Sequence, residues 1–227
     1  MTTDRSAARA ASAIIVLLAA ACVLPACSPT RSGPYAPQTE TLRDPAQAQR
    51  LALEAAAILD ALATRDEIPS GAPGHAEHRA ATAAELARAE SILRAALSAD
   101  LYCGPAHNNL GVVYLTMSPP RLYEAASEFE FARKLMPGHP DPRVNLALAL
   151  ERAGKPDDAI AACRSALDAR PGHLPAIQAL ARTQIKHRRA TPADPATRAL
   201  LEDLALRSDP AWANWARVQL AKADPPR

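Results

Sequence analysis

Hydrophobic and polar positions follow two different rhythms along this chain. Ala13 to Leu24 (AIIVLLAAACVL) is apolar without a break and has no polar face. From about residue 44 onward, apolar positions instead recur at helical spacing, in segments punctuated by Pro and Gly. Within that second region the chain repeats itself at a distance of 34 residues: Ala125, Ala132, Pro137, Gly138 and His139 return as Ala159, Ala166, Pro171, Gly172 and His173. A fixed period of this length marks a helix–turn–helix unit, which cannot bury its apolar face alone and must stack on its neighbours. No segment sustains an alternation of Val, Ile or Thr with polar residues, so no sheet is expected.

The repeat frame divides the chain. The unit 140–173 holds Leu146, Ala147 and Leu150 in its first helix and Ala159, Cys163 and Ala166 in its second, closed by Pro171. Gly154 falls between the two helices, where a left-handed cap is convenient, and Pro156 opens the second helix, where its missing N–H costs little. The unit 104–139 carries Asn109-Leu110-Gly111 and Tyr114, then Ala125, Phe129, Ala132 and Pro137. Its two extra residues fall in the turn 118–122, where added length is tolerated. Looser units flank these at 44–103 and 174–210. The first has an Ala-rich stretch 44–64, a loop over roughly 65–79, and a helix 84–99 with Ala89, Leu93 and Ala96 in frame. The second has Ile177, Leu180 and Ala181, a lengthened turn 190–195, and a helix resuming near Ala196. A last helix, 211–222, places Trp212 and Trp215 on one face, either capping the final apolar surface or offering an aromatic anchor. In residue type and register this pattern resembles the tetratricopeptide repeat. The predicted fold is all-α, an α-α superhelix of about four helical hairpins plus a C-terminal capping helix, over 44–222.

The resemblance also implies where a partner sits. In that family the first helix of each unit lines a concave groove. Carried over, the groove positions are Asn108, Val112, Leu115 and Thr116, then Val144, Leu148, Glu151 and Arg152, then Gln178, Arg182, Ile185 and Lys186. Asn109 and Asn145 precede the Leu of their units at matching positions. They either bond the backbone of a bound peptide, as in some relatives, or satisfy local backbone groups. The groove would run from mildly apolar to basic, extended by His187, Arg188 and Arg189. That basic run is also compatible with a solvated helix end beside the helix dipole. The Lys and Asn clamp by which chaperone-binding relatives grip a terminal carboxylate is not expected, because Asn108 and Val112 hold the relevant places.

The other rhythm belongs to the amino terminus. Arg5 and Arg9 precede the twelve-residue apolar run, which has the length of a signal-peptide core and is too short for an ordinary membrane-spanning helix. It ends in Leu24-Pro25-Ala26-Cys27, which resembles the lipobox of bacterial lipoproteins. That resemblance implies a signal peptide over 1–26 and acylation of Cys27, with Cys22 a poorer competitor. Ser28, rather than Asp, after the Cys points toward the outer membrane. Residues 27–43, rich in Pro, Ser and Thr, read as a disordered tether.

Composition narrows the chemistry. Aromatic residues make up 4% of the chain, which suits closely packed helices. The 21 Pro are too many for helix interiors and fit helix starts and turns. A net charge of +2 gives no general reason to expect nucleic acid. No phosphate loop, nucleophile elbow or zinc-protease helix is present, and no paired carboxylates stand out for acid–base work. His75 and His78 form an H-x-x-H without further metal partners. His139 and His173 mark a repeated turn. Cys103 and Cys163 fall in different layers and are expected as free thiols. No catalytic residue, metal or cofactor is predicted, nor a small-molecule substrate.

These readings converge on a non-enzymatic protein–protein interaction scaffold. It is expected to be an exported, lipid-anchored protein of the bacterial cell envelope, facing the periplasm, with another envelope protein or peptide segment in its groove. Alternatives are a regulatory subunit of a cell-wall enzyme, a soluble exported form without lipid, and a spacer that binds nothing.

Overall fold

The computed structural model describes residues 43–64 and 75–223; the signal-peptide reading, Cys27 and nearly all of the predicted tether lie outside them. The described residues form nine helices and no strand: α1 (Pro45–Ala63), α2 (His75–Ala99), α3 (Gly104–Thr116), α4 (Leu122–Leu135), α5 (Asp141–Arg152), α6 (Pro156–Ala169), α7 (Leu174–Lys186), α8 (Pro195–Arg207) and α9 (Pro210–Ala223). Proline stands in the first two positions of α1, α3, α5, α6, α7, α8 and α9. Its ring presets the helical φ there, and the N–H it lacks would have no partner in any case.

Helices pair as the hairpins α1–α2, α3–α4, α5–α6 and α7–α8, and α9 packs on α8. First helices also touch one another in series, α1 to α3, α3 to α5 and α5 to α7. The fold is therefore an all-α superhelix of four hairpins with a capping helix. Its spine consists of small side chains where helices approach closely. Ala89, Ala96, Ala125, Ala132, Ala159 and Ala166 on second helices are fully buried, as are Ala181 and Ala216. Ala125 and Ala159, one period apart, are alike fully buried on second helices.

Three details show how sequence sets the joints. At the end of α5, Gly154 takes φ +75°, its N–H donates to the Glu151 carbonyl, and the Lys155 N–H donates to the Leu150 carbonyl. This double bond pattern satisfies the open helix end and needs a left-handed residue, so glycine belongs there. At the start of α1, the Asp44 side chain accepts from the Gln47 N–H. The third detail moves a boundary. Arg43 was expected to be the last tether residue, but its guanidinium grips Asp100 at 2.8 and 3.1 Å, tying it to the end of α2.

α2 is longer than the periodicity predicts. It begins at His75, within the expected loop 65–79, because half of His75–Ala84 is Ala and helix propensity extends it without an apolar stripe. At the other end, Trp215 packs beside Ile177, Ala181, Leu201 and Leu204. Trp212 meets Trp215 edge to face at 5.3 Å. The pair therefore closes the apolar spine.

Candidate functional site

The residues read from the repeat frame as a groove fall on α3, α5 and α7, the row of first helices. They separate into three groups. Leu115 and Val144 are core residues, 8% and 6% exposed. Val144 packs with Ala147, Ala159 and Leu180, which leaves it nothing to offer a partner. Val112, Leu148 and Gln178 are half-buried. Val112 lines a cavity of about 370 Å³ with Leu59, Leu62, Thr82, Leu86 and Thr116, between α1, α2 and α3.

The polar members brace one helix against the next. Asn145 Nδ2 donates to Asn108 Oδ1 at 3.0 Å, Asn108 Nδ2 to Asn109 Oδ1 at 3.3 Å, and Asn109 Nδ2 to the Ala52 carbonyl at 3.3 Å. These bonds run across α5, α3 and α1 in succession. The two aligned asparagines bond within the protein, between repeats. Arg152 Nη1 donates to the Leu115 carbonyl at the open end of α3, at 2.9 Å.

The basic end contains a carboxylate whose role the repeat frame does not reveal. Glu151 is buried on α5. Its Oε2 accepts from Arg182 Nη2 at 2.7 Å, its Oε1 accepts from Lys186 Nζ at 3.0 Å, and His187 Nε2 lies 3.4 Å from Oε1. Burial raises the pKa of its carboxyl, but the bonds and charges of Lys186 and Arg182 outweigh burial and hold it below the usual value. Arg189 is also paired, with both oxygens of Asp157 at 2.6 and 2.8 Å. Arg188, at φ 53°, ends the α7 turn. Part of the basic charge at this end is thus neutralised in place.

A second buried pair lies inside the α3–α4 hairpin. His107 Nδ1 is 2.6 Å from Glu128 Oε2, and His107 Nε2 is 2.9 Å from the Leu101 carbonyl. Both side chains are nearly inaccessible. Each ring nitrogen thus faces an oxygen inside the hairpin. Nothing in the repeat pattern marks it.

A further cavity of about 520 Å³ opens between α4, α5 and α6, over Ala126, Leu146, Leu150 and Ala162. Among the described residues no group of three His, Cys, Asp or Glu is placed to hold a metal. None of the described helices is long and apolar enough to cross a membrane. Cys103 and Cys163 are buried free thiols.

Residues 140–183 match the family model of the tetratricopeptide repeat, covering α5, α6 and most of α7. No curated protein matches. Among solved structures, a mutant O-GlcNAc transferase of Thermobaculum terrenum superimposes with a TM-score of 0.52 at 19% identity, over 79% of this chain and 27% of the transferase. The chain therefore spans about a quarter of that enzyme, and the likeness is one of fold. YrrB, described as a TPR protein with an unusual peptide-binding site, aligns at 18% identity over 72% of this chain and 99% of its own, with a TM-score of 0.30. That superposition is too loose to carry an argument.

Proposed function

We propose that this protein is a non-enzymatic scaffold that holds another protein against its row of first helices, while a lipid on Cys27 tethers it to the membrane of a bacterial cell envelope. One observation carries the binding half. Hydrogen bonds link α1, α3, α5 and α7 from helix to helix, from the Ala52 backbone carbonyl through the side chains of Asn109, Asn108 and Asn145, and from Arg182 to Glu151. A face braced in this way is preorganised, so a partner that docks there orders few protein groups. Half-buried Val112, Leu148 and Gln178 supply apolar and amide contacts along it. The tethering half rests on the Arg-flanked apolar run and the Leu24-Pro25-Ala26-Cys27 motif.

Two experiments test the halves separately. A photoreactive amino acid at Leu148, and another at exposed Tyr123 on α4, are introduced into the full chain in cells. The reading expects capture of a distinct envelope protein from Leu148 and not from Tyr123; capture from Tyr123 alone refutes it. Metabolic labelling with a palmitate analogue is expected to mark the chain and to be lost in Cys27→Ala. Unchanged labelling in that variant removes Cys27 as the anchor.

A further inference from the structure

Charge is distributed unevenly between the two rows of helices. α7 carries Arg182 and Lys186, and α9 carries Arg217 and Lys222; neither holds an acidic residue. The second helices of this half carry Asp157, Asp158 and Asp168 on α6 and Glu202 and Asp203 on α8, while Asp194 and Asp209 stand between helices. Glu151 alone therefore serves both cations of α7. Arg152 lies beside it in the chain, its side chain bonded to a backbone carbonyl that bears no full charge. Two permanent cations thus share one buried carboxylate, an excess of one positive charge. Donor capacity is also left over: Arg182 Nε is buried without a hydrogen-bond partner, and the Lys186 side chain is 63% exposed.

We infer that this cluster receives an acidic segment of the bound protein, an Asp- or Glu-rich stretch lying across α5 and α7, with Glu151 as the internal carboxylate that competes with it for Arg182 and Lys186. The inference rests on the first-helix face being the binding face. The geometry favours carboxylates because one is already seated, each oxygen taking a separate cation at 2.7 and 3.0 Å. It favours a polypeptide over a nucleic acid because two cations are few. Duplex binding typically draws on about 6–10 phosphate contacts, and the chain carries a net charge of only +2.

The test is fluorescence anisotropy on the full chain with three labelled peptides, Glu alternating with Ala and its Gln and Lys counterparts. The Glu peptide is expected to bind most tightly, and its lead to shrink as salt rises. Lys186→Glu, at an exposed position that tolerates the change, is expected to weaken the Glu peptide about fivefold or more and to leave the Gln peptide unmoved. Glu151→Gln is the discriminating variant. Removing the competitor is expected to tighten the Glu peptide about threefold, whereas a purely structural Glu151 predicts weaker binding. Should Glu151→Gln melt the fold, seen by circular dichroism, Arg182→Gln takes its place and is expected to weaken the Glu peptide alone. Equal affinity for the Glu and Gln peptides overturns the inference, as does insensitivity to Lys186→Glu. So does binding of a DNA duplex or a phosphatidylserine vesicle in place of the acidic peptide. Proteins captured from Leu148 without preference for acidic segments overturn it while leaving the scaffold reading intact; no capture from Leu148 sinks that reading itself.

Discussion

Gly111→Ala isolates the close helix approach on which each hairpin depends. A Cβ built at Gly111 on α3 lies 2.5 Å from Cε1, 2.7 Å from Cδ1 and 2.9 Å from Cζ of Phe129 on α4. Carbon atoms pack at about 3.5–4.0 Å, so the ring must withdraw by roughly 1 Å. Phe129 is fully buried in an interior as dense as a crystal, with no free volume to accept it. Overpacking of this kind costs about 1–3 kcal/mol. Replacing a mid-helix glycine by alanine returns about 1 kcal/mol of helix propensity. The balance is a loss of up to about 2 kcal/mol, or up to about 8 °C in melting temperature for a chain of this size. Thermal melts followed by circular dichroism measure it. Gly138→Ala is the control, since nothing lies within 4 Å of its added Cβ and its φ is not positive. That variant is expected to match or slightly exceed the parent. In a Phe129→Leu background, Gly111→Ala is expected to turn neutral or stabilising, because the ring edge is gone. A Gly111→Ala protein more stable than the parent refutes the reasoning.

Other outcomes follow from the buried groups. His107→Ala breaks the buried His107–Glu128 pair and is expected to lower stability by about 3–5 kcal/mol in guanidinium titration; a loss under about 1 kcal/mol contradicts a buried pair. Burial pushes the Cys163 thiol up to about 12 and raises Cys103 as well, so peptide mapping after iodoacetamide treatment is expected to find both unmodified in native protein and modified after denaturation. Prompt native labelling of Cys163 contradicts this. Asp100 is held low chiefly by the Arg43 side chain, and Glu151 is low although burial opposes it. Both folded values are depressed, so their stabilisation is present above the ordinary carboxylate range and lost as pH falls through the folded values. Melting temperature is expected to drop on acidification below about pH 4, and less steeply in Asp100→Asn.

Much of the architecture was written in the repeat frame. Small residues at 125, 132, 159 and 166 declared close helix contacts, and each is fully buried. Gly154 and Pro156 declared the end of one helix and the start of the next. Features resting on propensity alone were less visible. The first turns of α2 carry no apolar stripe, so periodicity gave no sign of a helix there. The candidate site was legible in position and not in role. The frame listed Glu151 and Arg182 one unit apart, 31 residues in sequence, and nothing local indicated that their side chains meet. Likewise Leu115 and Val144 occupy groove positions by count, yet the approach of neighbouring helices buries them. His107 and Glu128 show no pattern at all, because a buried pair is defined by what surrounds it.

The central claim is that the first helices are the working face. Hydrogen–deuterium exchange of the chain alone, and of the chain with the protein captured from Leu148, tests it most directly. Slowed exchange concentrated on α3, α5 and α7 is the predicted result. Slowing confined to α4, α6 and α8 contradicts the account.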